Sequence, residues 1–95
     1  MKLKGEFVLR KIMEDVVAVP VGETALRING MVLLNDVSKV IWECLGQGCS
    51  LAGLVTAVTD AFEVPADVAE TDILEFLQQL RQAELLDDQE ENYGG

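Results

Sequence analysis

The chain has 95 residues, with seven Lys or Arg, seventeen Asp or Glu and no His, giving a formal net charge of -10 at pH 7 and a pI near 4.1. That length makes one domain, and a charge of that sign repels a phosphate backbone, which excludes nucleic acid as a partner. Hydrophobic residues at 49% and a mean hydropathy of +0.23 supply a core, yet Glu6 and Arg10 interrupt the N-terminal apolar run and no stretch reaches membrane-spanning length, so a cytoplasmic chain without a membrane partner is expected.

Phe7 to Met13 and Val16 to Val21 are rich in Val, Leu and Ile, and the polar break Glu14-Asp15 between them predicts a β-hairpin. Pro20 lacks an N–H and belongs at a strand end or an edge. After a turn at Gly22, Ala25 to Ile28 reads as a short alternating strand, Asn29-Gly30 as a turn in which both residues tolerate positive φ, and Met31 to Leu34 as the last strand. That strand pairs with Ala25 to Ile28, with the hairpin, or with both.

Asn35 or Asp36 then caps a helix whose apolar positions 37, 40, 41, 44 and 45 share one face. Gly46 and Gly48 stop it, and Ser50 caps a second helix with Leu51, Leu54, Val55, Val58 and Phe62 on one side. Pro65 separates a third, in which Ile73, Phe76, Leu77 and Leu80 recur at helical spacing until the helix fades near Ala83. The acidic stretch from Asp87 to Gly95 has little to pack and is expected to be disordered. The prediction is a folded domain over residues 1–86 and a tail over 87–95. Its class is α+β: a winged-helix-like, three-stranded antiparallel sheet followed by three α-helices that cover one face of it. DNA recognition does not follow from that outline, because the last helix carries Asp67, Glu70, Asp72 and Glu75 against the single cation Arg81.

No nucleophile–base pair is visible, and the carboxylates at helical spacing read as a solvated face, so no enzyme is expected. Two cysteines without histidine are too few for a zinc site, and no motif calls for a cofactor. Cys44 reads as a small apolar side chain and Cys49 as a loop residue; a disulfide between them is geometrically open but not expected in a reducing compartment. Gly46-Gln47-Gly48 lies between two helices and is not a phosphate loop. Two carrier readings stand as alternatives. Gly48-Cys49-Ser50-Leu51 faintly resembles the modified-serine motif of acyl carrier proteins, and Gly94-Gly95 resembles the terminus of ubiquitin-like sulfur carriers. The β-rich first third argues against the former, and the helices after residue 36 against the latter.

The order Val16-Val17-Ala18-Val19-Pro20, Ile28-Asn29-Gly30-Met31-Val32-Leu33-Leu34-Asn35, Ile41-Trp42-Glu43-Cys44-Leu45, Ser50-Leu51, Ala61-Phe62-Glu63-Val64 and Asp72 to Leu80 resembles the PqqD family over residues 7 to 86. The resemblance implies a peptide-recognition module that acts with enzymes modifying ribosomally made peptides, in pyrroloquinoline quinone synthesis or a related pathway. The implied partners are the leader of a precursor peptide and a modifying enzyme, often a radical S-adenosylmethionine enzyme, with the module itself a monomer or a weak homodimer. It also implies that the leader adds as a strand beside Met31, Val32, Leu33 and Leu34 and lies against a helix surface drawn from Ile73, Phe76, Leu77 and Leu80. The segment Thr24 to Ile28 is an addition relative to the shortest family members.

Overall fold

The computed structural model describes residues 1–87; Gly94-Gly95 and the rest of the expected tail from residue 88 lie outside the described residues. The elements in chain order are β1 (Lys2–Leu3), β2 (Phe7–Ile12), β3 (Asp15–Pro20), α1 (Glu23–Arg27), β4 (Val32–Leu34), α2 (Asp36–Gln47), α3 (Leu51–Ala61), α4 (Ala66–Gln82) and β5 (Leu86–Asp87). The expected hairpin is β2–β3. Its two-residue turn is Met13-Glu14 rather than Glu14-Asp15, and Met13 takes a positive φ of 59°.

β4 pairs antiparallel with β3, which gives a three-stranded sheet in the order β2-β3-β4. The segment Ala25 to Ile28 is not a strand. Glu23–Arg27 forms a short helix, because an alternation of four residues is too short to hold a strand against the packing around it. Thr24 anchors it: buried to 3% exposure, its Oγ1 accepts the Glu6 N–H at 2.8 Å. Gly5, at φ +93°, makes this approach possible, since a Cβ there would meet Thr24 Oγ1 at 2.8 Å.

The pleat divides the sheet into two faces. Val16, Ala18, Val32 and Leu34 share the helix side and join the core, where Ala18 is fully buried and Leu34 is 2% exposed. Val8, Ile12 and Leu33 lie on the opposite face and are exposed. Ile41, Trp42, Leu45, Leu54, Val58, Ile73 and Leu77 bring α2, α3 and α4 into the same core, and Phe7 meets Trp42 edge-on at 5.1 Å across the sheet–helix seam. Gly46 lies within α2, so Gly48 alone ends that helix, at φ +86°.

A second, two-stranded sheet joins the ends of the described chain, with Lys2 opposite Asp87 and Leu3 opposite Leu86. Asp87, which the sequence assigns to the tail, is therefore part of a strand. The turn that delivers β5 is a Schellman closure of α4: the Leu85 N–H donates to the Leu80 carbonyl at 2.8 Å and the Glu84 N–H to the Arg81 carbonyl at 3.0 Å. Glu84 sits there at φ 60°, where a Cβ is disfavoured. Glu84→Gly is accordingly expected to stabilise the fold by about 0.5–1 kcal/mol, net of the extra freedom glycine gives the unfolded chain, and a urea melt reads it as a higher midpoint at unchanged slope.

Candidate functional site

Among the described residues β4 is bonded on one side only, and the hydrogen-bond parity of the sheet tells which of its residues offers outward-facing groups. The Val21 N–H donates to the Glu6 carbonyl at 3.0 Å, so that 6 and 21 are a bonded pair. Bonded and non-bonded pairs alternate along an antiparallel ladder, which makes Val8–Val19, Arg10–Val17 and Ile12–Asp15 the bonded pairs of the hairpin. Val17 thus turns its backbone groups toward β2, while Val16 and Ala18 turn theirs toward Leu34 and Val32. Leu33, opposite Val17, is left with its N–H and C=O pointing away from the sheet. The next residue of that parity, Asn35, is closed off, because its N–H donates to Ser38 Oγ at 2.8 Å.

Beside this edge lies a groove of about 280 Å³ between β4, the start of α2 and α4. Val37, Ile41 and Phe76 supply its apolar part and Leu33 borders it from the strand, while Asn35, Ser38, Asp72, Glu75 and Gln79 make most of its surface polar. Its end is shaped by the N-cap of α2, where Asn35 Oδ1 accepts the Ser38 N–H at 2.8 Å in a reciprocal capping box. From α4 come Asp72, Glu75 and Gln79, all exposed. An unpaired strand edge accepts any extended backbone, and an adjoining apolar groove receives alternate side chains of that backbone.

The model of the family described as Coenzyme PQQ synthesis protein D (PqqD) matches residues 13–86, from the hairpin turn into β5. The chain belongs to the PqqD family. Among solved structures, TbiB1 in complex with the TbiA(beta) leader peptide is similar, with 26% sequence identity, a TM-score of 0.69, and coverage of 92% of this chain and 95% of that one. No curated protein matches the sequence. The α+β architecture with a three-stranded antiparallel sheet is thus the PqqD-like fold expected from the sequence.

Within this PqqD-family fold the residues proposed from sequence divide into two groups. Met31 and Leu33 are 61% and 65% exposed, Val32 is half-buried, and Phe76, at 8% exposure, shows one margin to the groove. Leu34 belongs to the core face of β4. Ile73, Leu77 and Leu80 are no more than 1% exposed and line no part of the groove; their side chains pack into the domain interior. The apolar stripe of α4 is consumed by α2 and α3, and the groove receives the flank of that stripe, Asp72, Glu75 and Gln79, which from sequence reads as a solvated face. From sequence Asn35 reads as a cap and Val37 and Ile41 as a core face, Ser38 carries no signal, and nothing local marks any of them as groove residues.

Outside the groove the described residues offer little chemistry. Among them no group of three or more His, Cys, Asp or Glu could hold a metal ion and no helix is long and apolar enough to cross a membrane. Ser50 caps α3, its hydroxyl accepting the Gly53 N–H at 3.1 Å. Cys44 and Cys49 are free thiols with their sulfurs 2.6 Å apart.

Burial first, then the hydrogen bond and charge of Cys49, push the Cys44 thiol from its ordinary 9.0 up to about 11. Between those values the unfolded chain loses a proton that the folded chain keeps, so stability falls as pH rises through that window and is unaffected by this group below it. In reducing buffer the urea midpoint is expected to drop from pH 8 to pH 10.5 by more in the wild type than in Cys44→Ala; equal drops would remove Cys44 as the cause.

Proposed function

We propose that this PqqD-family protein is a non-catalytic adaptor that captures the leader of a ribosomally made precursor peptide and presents it to a modifying enzyme. The observation that carries this reading is the open backbone edge at Leu33 beside a groove with both apolar and acidic lining, in a fold similar to that of a protein solved with a leader peptide. The leader adds as a strand along β4, its alternate side chains entering the groove over Val37, Ile41 and Phe76. Holding the leader raises the concentration of the substrate segment at the enzyme, and the adaptor performs no chemistry of its own. The enzyme belongs to the radical S-adenosylmethionine class, acting in the cytoplasm on a peptide that becomes pyrroloquinoline quinone or a related product.

The test is calorimetric titration with the leader of a precursor peptide encoded beside this gene, together with amide exchange. Binding in the micromolar to nanomolar range, roughly -8 to -12 kcal/mol, is expected, with slowed exchange at Leu33 in the complex. Binding without protection at Leu33 would move the site elsewhere on the domain. Failure of any encoded leader to bind would overturn the adaptor reading.

A further inference from the structure

We infer that the groove selects a leader with a Lys or Arg among its groove-facing side chains, an inference that rests on the adaptor reading above. Of the side chains around the groove, Asp72 and Glu75 are acidic and none is basic. They stand three residues apart on α4, about 4.5 Å along the helix axis and on neighbouring positions of one face. Neither carboxylate has a cation partner among the described residues; the ion pair nearest in sequence to the groove lining, Lys39–Glu43 at 3.9 Å, is formed within α2. The same lining includes Phe76 and Val37, which are available to the methylene stem of a long side chain while its charged head reaches the carboxylates.

An extended peptide pairing with Leu33 turns every second side chain toward the groove, at intervals of about 6.7 Å. An apolar residue can thus occupy the Ile41–Phe76 floor while a neighbouring groove-facing position meets Asp72 and Glu75. The net charge of -10 works in the same direction, repelling an acidic leader and speeding the encounter with a basic one. A neutral or acidic residue at that position would leave both carboxylates partly desolvated with nothing to compensate them.

The probe is a displayed library of random twelve-residue peptides panned against the intact protein. Selected peptides are then titrated against wild type, Leu33→Pro, the double variant Asp72→Asn/Glu75→Gln, and the charge-matched control Asp60→Asn/Glu63→Gln, at the last turn of α3 and just beyond it. Peptides enriched in Lys or Arg are expected, binding the Asp72/Glu75 variant about three- to tenfold more weakly and the control within about twofold, with the difference shrinking as salt rises. Equal losses in the two charge variants would assign the preference to net charge and overturn the inference. Peptides blocked by Leu33→Pro but lacking a basic residue would overturn it while leaving the adaptor reading intact. If Leu33→Pro blocks none of the selected peptides, the reading and the inference fall together.

Discussion

Leu33→Pro is expected to abolish most leader binding, by roughly tenfold to a hundredfold, while the domain stays folded. The substitution removes the outward N–H of β4 and sets a pyrrolidine ring where the incoming carbonyl would approach, losing a backbone hydrogen bond worth about 0.5–1.5 kcal/mol and adding a steric penalty to it. It should spare the fold because the Leu33 N–H has no partner within the sheet, and the side chain it replaces lies 65% exposed on the outer face. Val32→Pro supplies the contrast. The Val32 N–H faces β3, so proline there removes a ladder bond and should lower the melting temperature. Leu33→Ala keeps the N–H and should retain binding to within a few fold. Titration and thermal melts on the three variants check the assignment, and a Leu33→Pro protein that melts normally and binds normally would show that the leader does not pair with this edge.

Leu77→Ala is expected to cost about 3 kcal/mol of stability, within the 2–5 kcal/mol range for truncating a fully buried leucine. For a domain of this size that lowers the melting temperature by roughly 12–24 °C. The cause is the position of Leu77 at 1% exposure in the interior between α4 and its neighbours. Ile73 and Leu80 are buried as deeply, and truncating either should act alike. Phe76→Ala separates the two roles along the same helix: it opens a cavity in the core and also removes part of the groove lining, so it should lose stability and affinity together. A Leu77→Ala protein that melts like wild type but loses leader affinity would return that residue to the binding surface.

The burial of Ile73, Leu77 and Leu80 shows how far sequence reasoning reaches in a small domain. A helical stripe says which residues seek an apolar partner, and on α4 it is right about all four positions. It does not say whether the partner is the domain's own core or a ligand, because both ask for the same residue types. That choice depends on how closely α2 and α3 cover the stripe, which is a property of packing. The acids on its flank read as a solvated face for a related reason: charges on one side of an amphipathic helix usually face bulk water, and only the position of β4 and α2 opposite them turns Asp72 and Glu75 into the wall of a groove.

What the sequence determined by itself lies where the physics is local. Asn35 and Ser50 cap their helices because a side-chain oxygen three residues before a free N–H satisfies it in any context. The hairpin, the last strand, expected from Met31 and observed over Val32–Leu34, and the end of α4 at Ala83 follow from apolar alternation, turn residues and helical period. Tertiary structure decided what depends on residues far apart. Glu23–Arg27 is a helix because Glu6 reaches Thr24 from eighteen residues away, and β1 and β5 are strands because each is the other's partner, two residues too short to declare themselves alone. The open edge at Leu33 is of the same kind, since the direction of its N–H is set by hydrogen bonds counted from Glu6 and Val21 across two strands.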